Sequence, residues 1–234
     1  MLELNRIYNM DSREGLLKID DGSIDLIITS PPYKEKDGYD PEMIEEVFNQ
    51  LFRVHKNNSL FFLNFGHLVE DKSRPFKVLE MAGLAGFELN ETITWKKTQF
   101  SPIIGERRLN NLTEFIFLLY NGKMPTLDRL SVSVPYQDKS NIGRYSDKDL
   151  RCAGNFWEFG YETIQRKSQK LHNDRFPLEL PLRCIKLSNV KSGIVLDPFI
   201  GSGTTALAAK QMGLNYIGFE LKENNCKIAE KRLI

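Results

Sequence analysis

A glycine-rich turn near the end of the chain constrains the fold more than any other feature. A strand over 193–197 ends at Asp197, and the next residues, with glycines at 201 and 203, lead into a helix beginning at Thr204. A strand, a tight glycine turn and a helix N-terminus in this order form the ligand-binding corner of doubly wound sheets. Only one further strand, 215–220, follows, so we expect earlier segments to complete a sheet of permuted order.

Alternating strand and helix signals along the chain predict the α/β class. The predicted strands are 4–8, 24–29, 59–65, 87–95, 113–120, 193–197 and 215–220. The predicted helices are 12–19, 40–53, 73–85, 177–188, 204–212 and 223–233. Residues 96–111 are predicted to form a loop, because polar residues, glycine and proline interrupt the pattern there.

The periodicity fails over 121–169, where glycines, prolines and scattered charges predict a loop-rich insertion. The net charge of +1 for the whole chain conceals an asymmetry around this segment. Residues 96–170 contain 13 Lys or Arg and 8 Asp or Glu, a local net charge of +5, and the remainder carries −4. A basic segment of this kind is compatible with a polyanionic partner, although the total charge is nearly zero.

Cysteine use and hydropathy favour a reducing, cytoplasmic location. The three cysteines, at 152, 184 and 226, match neither a metal knuckle nor a disulfide scaffold. The N-terminal residues lack the apolar core of a signal peptide, and no apolar run approaches the ~20 residues needed to span a bilayer. We therefore expect neither a metal site nor an association with membranes.

The turn over 197–205, called the cofactor loop below, is predicted to bind a nucleoside-containing ligand. Its glycines are predicted to let the ligand approach the helix N-terminus, and Glu220, at the end of the next strand, is placed to accept both ribose hydroxyls. Phe199 offers an apolar face to an adenine ring. Because Ala206 is permitted as the third position of GxGxxG, spacing alone does not exclude NAD. Asp197 favours an amino or sulfonium cation over a pyrophosphate, since like charges repel.

A second turn, residues 30–33 (the acceptor turn), follows the apolar strand 24–29. Pro31 and Pro32 stop the strand and hold a rigid projection at the edge where parallel sheets bind ligands. The Pro31 carbonyl and the Ser30 hydroxyl oxygen are two hydrogen-bond acceptors, and Tyr33 adds a flat platform. This combination suits an exocyclic amino group on a flat heterocycle, because accepting both N–H hydrogens frees the nitrogen lone pair for attack on a methyl group.

With both turns in this order, the chain resembles the β-ordered group of amino-methylating DNA methyltransferases. Residues 30–33 match the catalytic [DNS]PP[YFW] motif of that family, and 197–205 match its DPFxGSGTT loop. Residues 172–180 are similar to the family's helix beside the methionine end of the cofactor, and 154–158 to a segment just before it. Asp11 falls where the family has Gly-Asp near the adenine, although Asn9 and Met10 depart from that pattern.

The resemblance implies a circularly permuted, Rossmann-like fold that uses S-adenosylmethionine and no metal. A catalytic domain of residues 1–120 and 170–234 would surround a target-recognition insertion at 121–169. The implied catalytic residues are Ser30, Pro31, Pro32 and Tyr33. The implied cofactor residues are Asp11, Asp197, Pro198, Phe199, Gly201, Ser202, Gly203, Thr204, Thr205 and Glu220. Double-stranded DNA is the implied substrate, with its target base flipped out, and the candidates for contacting it are Arg107, Arg108, Arg144, Lys148 and Arg151.

The target atom and the partners have alternatives. Serine at the first motif position favours N4 of cytosine in this family, with N6 of adenine as the alternative and an RNA or protein amide nitrogen as a more distant one. Methylation at C5 of cytosine is disfavoured because it needs a thiolate, commonly in a Pro-Cys loop, and the three cysteines follow Arg, Arg and Asn. A homodimer and a restriction endonuclease sharing the DNA site are both compatible with the resemblance.

Overall fold

An eight-stranded mixed sheet organises the protein in this computed structural model, which describes residues 2–98, 107, 109–144, 147–160 and 176–234. Its spatial order is β1-β10-β9-β2-β3-β5-β4-β8. The strands are β1 (Arg6–Asn9), β2 (Ile24–Thr29), β3 (His55–Gly66), β4 (Glu88–Lys97), β5 (Thr113–Asn121), β8 (Phe156–Phe159), β9 (Ile194–Asp197) and β10 (Asn215–Glu220). A separate two-stranded sheet contains β6 (Ser133–Val134) and β7 (Arg151–Cys152).

The central pairing confirms the permuted order that the sequence predicts. The five strands from β1 to β3 in the spatial order are mutually parallel. β9 pairs directly with β2, with Val195 opposite Leu26 and Leu196 opposite Ile27, although the two strands lie far apart in the sequence. β5 is antiparallel to both β3 and β4. This is the permuted, Rossmann-like sheet expected from the order of the two turns, which follow neighbouring strands.

Six helices cover the two faces of the sheet because each carries one apolar stripe. One face is covered by α1, α2 and α3, and the other by α4, α5 and α6. The helices are α1 (Ser12–Leu16), α2 (Pro41–Val54), α3 (Arg74–Leu84), α4 (Glu179–Ser188), α5 (Thr204–Gln211) and α6 (Glu223–Leu233). In α2 the predicted stripe of Ile44, Val47, Phe48 and Leu51 is fully buried, and Asp40 caps the helix N-terminus by accepting from the Glu42 amide.

Two predicted boundaries differ from the structure. β3 begins at His55 rather than at Ser59, directly after α2, because the buried His55 ring lies beside the Leu60 carbonyl and the Ser59 hydroxyl. The loop predicted over 96–111 begins only after Lys97, since β4 continues to that residue and its half-buried ammonium group is held in an ion pair with Glu114. Among the described residues, no helix has both the length and the apolar character required to cross a membrane.

The segment predicted as an insertion is joined closely to the sheet. β8 pairs in parallel with β4 at the sheet edge, and the indole of Trp157 in β8 is buried in the same core as Trp95 in β4. Trp95 donates its indole N–H to the Phe159 carbonyl, 2.9 Å away. The end of the proposed insertion, 161–169, lies outside the described residues. The division into a catalytic domain and a recognition insertion stays a prediction.

Candidate active site

One cleft runs along the carboxyl-terminal edge of the parallel strands and contains residues of both predicted turns. Its volume is about 910 Å³, within the range of about 300–1,000 Å³ that is typical of ligand pockets. The cofactor loop follows β9, and the acceptor turn follows the neighbouring strand β2. The cleft is lined by all four residues of the acceptor turn and by Asp11, Asp197, Pro198, Phe199, Gly201, Ser202, Thr204 and Glu220.

Asp197 connects the two turns through hydrogen bonds. One of its carboxylate oxygens accepts from the Thr29 hydroxyl at 2.6 Å and from the Phe199 amide at 3.1 Å. The other accepts from the Thr205 hydroxyl at 2.7 Å. Burial raises the pKa of Asp197 to about 6, and the three hydrogen bonds counteract part of that shift. The carboxylate therefore ties the start of the cofactor loop to the last residue before Ser30.

The two glycines of the cofactor loop have different roles. Gly201 lines the cleft at φ +54°, and a Cβ atom there would meet only the Phe199 carbonyl oxygen, 3.9 Å away. Gly203 and Thr205 are not among the described residues that line the cleft. A Cβ atom on Gly203, at φ +79°, would come within 2.8 Å of the Ala229 Cβ in α6. Gly201 thus leaves open space in the cleft, whereas Gly203 allows α6 to pack closely. The binding of a ligand by either glycine stays a prediction.

Arg232, near the end of α6, stabilises the cofactor loop from outside the motif. Its guanidinium group donates to the Ser202 carbonyl at 2.7 Å, and lies 3.2 Å from the Ser202 hydroxyl and 3.1 Å from the Thr204 hydroxyl. Two of the loop's hydroxyl groups are therefore engaged by the protein itself. The sequence alone does not point to Arg232, since a basic residue in the last turn of a helix is common for other reasons.

Two acidic residues lie at the end of the cleft formed by β1 and β10. Glu220 ends β10, and one of its carboxylate oxygens accepts from the Lys222 amide at 2.7 Å. Asp11 caps α1 by accepting from the Arg13 amide at 2.8 Å, and its side chain also pairs with the Arg13 guanidinium at 2.9 Å. This guanidinium lowers the pKa of Asp11 below its usual range. The Asp11 carboxylate is therefore ionised at neutral pH.

The acceptor turn presents Ser30 and Tyr33 together. The Ser30 hydroxyl lies 3.0 Å from the Tyr33 hydroxyl. The Tyr33 ring stacks on Phe65, with a centroid separation of 4.2 Å and an interplanar angle of 27°. Gly66 makes this stack possible, because a Cβ atom on that residue would lie 2.9 Å from the tyrosine ring. One face of the aromatic platform is thus occupied by the protein.

Arg74 in α3 holds the residues that follow the acceptor turn. Its guanidinium group donates to the Tyr33 carbonyl at 3.0 Å and pairs with the Glu35 carboxylate at 2.9 Å. It also lies over the Tyr39 ring, 4.3 Å from the centroid. The Arg74 side chain is only 14% exposed. The sequence places this residue at a helix start, but only the tertiary structure brings it to the acceptor turn.

Three polar residues of the sheet interior complete the acceptor side of the cleft. Glu114 in β5 and Lys97 in β4 form an ion pair at 3.0 Å, with side chains 11% and 15% exposed. Asn64 in β3 donates its amide to the Phe115 carbonyl, and its side-chain oxygen lies 3.3 Å from the Tyr33 hydroxyl. None of the three belongs to either motif of the sequence. The available signal was the presence of Asn64 and Glu114 inside otherwise apolar strands.

The described residues among those predicted to contact DNA, Arg107, Arg144, Lys148 and Arg151, are not part of the cleft lining. Arg107, Arg144 and Lys148 are exposed, and Arg151 is half-buried and donates to the Cys152 carbonyl at 3.3 Å. Arg108 lies outside the described residues, as do residues 172–175 of the helix-like segment predicted beside the cofactor. The DNA contacts therefore stay predictions.

The cysteines are poorly suited to act as nucleophiles at this site. Cys184 is fully buried in α4, and burial raises the pKa of its thiol well above the ordinary value. Burial also raises the pKa of Cys226, to about 11. None of the three cysteines lies among the described residues of the cleft lining. Burial and the raised thiol pKa values disfavour Cys184 and Cys226 as thiolate nucleophiles.

Comparisons with known proteins extend over nearly the whole chain. The sequence model of the N6/N4 methylase family, described as DNA methylase, matches residues 24–231. Type II methyltransferase M.BglII from Bacillus subtilis is 30% identical, and the match covers 97% of this chain and 68% of the relative. Type II methyltransferase M2.LlaDCHI from Lactococcus lactis subsp. cremoris is 32% identical over 97% of this chain and 88% of the relative.

Solved structures share the fold at lower sequence identity. The PvuII DNA methyltransferase, described as cytosine-N4-specific, superposes with a TM-score of 0.75 at 22% identity. The match covers 97% of this chain and 86% of the PvuII chain. The M1.HpyAVI complex with SAM has a TM-score of 0.68 at 24% identity, with 97% and 98% of the two chains covered. Both matches cover 97% of this chain and therefore support the fold over nearly its whole length.

Proposed function

The chain belongs to the N6/N4 DNA methylase family, and on this premise we propose that it transfers a methyl group from S-adenosylmethionine to N4 of cytosine in DNA. The observation that carries the proposal is the hydrogen bond between Thr29 and Asp197, 2.6 Å long. It joins the strand before the acceptor turn to the start of the cofactor loop. A methyl donor on one loop and an amino group on the other would then share one cleft, as direct transfer requires.

The residues of the cleft fit S-adenosylmethionine. When bound, this cofactor supplies a methyl group activated by a sulfonium sulfur. Gly201 presents backbone without a side chain to the ligand, and Phe199 offers an apolar surface beside it. The carboxylates of Asp11, Asp197 and Glu220 line this part of the cleft and have the charge that suits the cofactor's amino and sulfonium cations. We assign these residues, with Pro198, Ser202 and Thr204, to cofactor binding, and Gly203 and Thr205 to holding the loop.

The acceptor turn is assigned to the amino group. The Pro31 carbonyl and the Ser30 oxygen accept the two N–H hydrogens, which reduces delocalisation of the nitrogen lone pair into the ring. The lone pair would then be free to take the methyl group that the bound cofactor supplies, and the proton lost by the nitrogen would pass to solvent. Pro32 keeps the turn rigid, and Tyr33 orients the base through its ring. All four residues line the same cleft.

Cytosine is favoured over adenine by Ser30 at the first position of the motif. The shared fold with the cytosine-N4-specific PvuII enzyme is compatible with this choice. Adenine N6 is the alternative within the family, because a neutral serine oxygen accepts equally well from either amine. The test is nucleoside mass spectrometry after incubation with S-adenosylmethionine and unmethylated plasmid DNA. N4-methylcytosine is expected, whereas N6-methyladenine alone would refute the cytosine assignment.

Ser30→Ala provides the matched control for that experiment. We expect it to lose methyl transfer while retaining cofactor affinity, because Ser30 is assigned to the acceptor. RNA and glutamine-containing peptides should be tested in parallel, and transfer to either one without transfer to DNA would overturn the proposed substrate. A comparable loss of cofactor affinity in the variant would show that Ser30 belongs to the cofactor site.

We propose site-specific modification of double-stranded DNA, with a target-recognition segment formed by 121–169. Type II methyltransferases among the relatives support this proposal, as does the local charge of +5 over 96–170. Lys97 also lies in this basic region, but we do not assign it to DNA contact because it is paired with Glu114. Sequencing modified bases in a bacterial host that expresses the chain would identify the recognised site. Methylation without any sequence preference would refute the proposal.

A further inference from the structure

The Tyr33 hydroxyl connects Ser30 to a buried carboxylate. It lies 3.0 Å from the Ser30 hydroxyl and 3.3 Å from a carboxylate oxygen of Glu114. The second carboxylate oxygen of Glu114 accepts from Lys97 at 3.0 Å. Serine, tyrosine and glutamate thus form a continuous chain of hydrogen bonds from the acceptor turn to β5, called the hydroxyl chain below.

The carboxylate gives the hydroxyl chain a direction. An ionised carboxylate only accepts hydrogen bonds, so it takes the hydrogen of the Tyr33 hydroxyl. Asn64 does not compete as a donor, because its amide N–H group is engaged by the Phe115 carbonyl and its oxygen faces Tyr33. The Tyr33 oxygen is then left to accept from Ser30. A charge-assisted bond to Glu114 is stronger than a neutral one to Asn64.

We propose that Glu114, held by Lys97, is a positioning residue that directs the Ser30 hydrogen toward Tyr33 and away from the substrate. The Ser30 oxygen consequently presents lone pairs to the amino group. If the hydrogen bonds of the hydroxyl chain ran in the opposite direction, the Ser30 hydrogen would point into the cleft and meet the N–H hydrogens of the amine. This inference rests on the proposed methyl transfer and assigns a role to an ion pair that neither motif contains.

Glu114→Gln tests the direction of the hydroxyl chain with little change in side-chain size. Lys97 donates toward Glu114 and would hold the oxygen of the new amide, which turns the NH2 group toward Tyr33. A donor would then replace the acceptor at the end of the hydroxyl chain. We expect kcat for methylation of unmethylated plasmid DNA to fall about 10- to 100-fold, with little change in the affinity for S-adenosylmethionine.

Tyr33→Phe keeps the ring and removes only the hydroxyl group, so it should lower kcat by a similar factor. In a double-mutant cycle, Tyr33→Phe combined with Glu114→Gln should be no worse than the more damaging single variant. Coupling of this kind is expected because Glu114 acts through Tyr33. A purely structural role of the Glu114 and Lys97 pair would instead give additive losses.

Glu88→Gln is the matched control, because Glu88 accepts from the Tyr120 hydroxyl at 2.7 Å at an exposed position on the opposite end of the same pair of strands. It should leave kcat unchanged. Full activity of Tyr33→Phe, or additive losses in the cycle, would overturn the proposal. If Glu114→Gln fails to fold, the activity of Tyr33→Phe still tests the proposal, because full activity of that variant would overturn it. If the unmodified chain transferred no methyl group, the proposed function would fail and this inference with it.

Discussion

A single methyl group on Gly66 should separate catalysis from cofactor binding. Gly66 ends β3 directly beneath the Tyr33 ring. A Cβ atom there would lie 2.9 Å from Cε2 of Tyr33, and 3.1 and 3.2 Å from Cδ and Cγ of Glu114. Carbon atoms in favourable contact are about 3.5–4.0 Å apart. Gly66→Ala therefore requires the ring to move by roughly 0.6 Å or more.

The ring has little freedom to make this movement. It is stacked on Phe65 at a centroid separation of 4.2 Å, and its hydroxyl is bonded within the hydroxyl chain. The backbone is no obstacle to alanine, because Gly66 is not among the glycines with positive φ. Since a misplacement of about 1 Å can cost about 100-fold in rate, we expect methyl transfer to fall about 10- to 100-fold. Overpacking should lower the free energy of unfolding by about 1–3 kcal/mol.

The assay compares transfer of tritiated methyl groups to plasmid DNA with cofactor affinity measured by calorimetry. Gly83→Ala is the control, because a Cβ atom on this exposed glycine of α3 would have nothing within 4 Å. It should leave transfer unchanged and stabilise the protein by about 0.5–1 kcal/mol, since alanine favours a helix over glycine. A Gly66→Ala variant with the unmodified transfer rate would refute the assignment of Tyr33 to the acceptor.

Three further predictions concern buried titratable groups. Burial lowers the pKa of His55 to about 4 from 6.5, so the unfolded chain binds a proton at higher pH than the folded protein does. The free energy of unfolding should therefore fall by roughly 3 kcal/mol between pH 6.5 and 4. Urea unfolding across this range should show a smaller loss for His55→Gln. Burial raises the pKa of Asp197 to about 6 from 3.8, so its contribution to stability is present below pH 3.8 and is lost as pH rises through 6. Asp197→Asn should abolish that part of the pH dependence and weaken cofactor binding, and an unchanged curve of unfolding free energy against pH would contradict this. Finally, a thiol reagent should label the half-buried Cys152 in the folded protein but Cys184 only on unfolding, because Cys184 is fully buried. Mass spectrometry would detect the labelled residues, and rapid labelling of Cys184 under native conditions would contradict its placement.

The features that the sequence alone determined are those with local causes. Pro31 and Pro32 disfavour continuation of a strand, and a positive φ such as that of Gly201 favours glycine. The two turns and their order in the chain therefore predicted the permuted sheet, and the structure confirms it. The apolar spacing in α2 and its Asp40 cap were equally visible, because both depend on residues within a few positions.

Only the tertiary structure decided which distant groups meet. Glu114 lies 81 positions from Tyr33 along the chain, and Arg232 lies 30 positions from Ser202, so no local pattern connects them. The sequence motif likewise does not show that Gly203 packs against α6, because a glycine at this position is equally compatible with ligand binding. The physical reason is that short-range sterics and periodicity set each element, whereas the register and packing of the sheet determine which side chains share its ligand-binding edge.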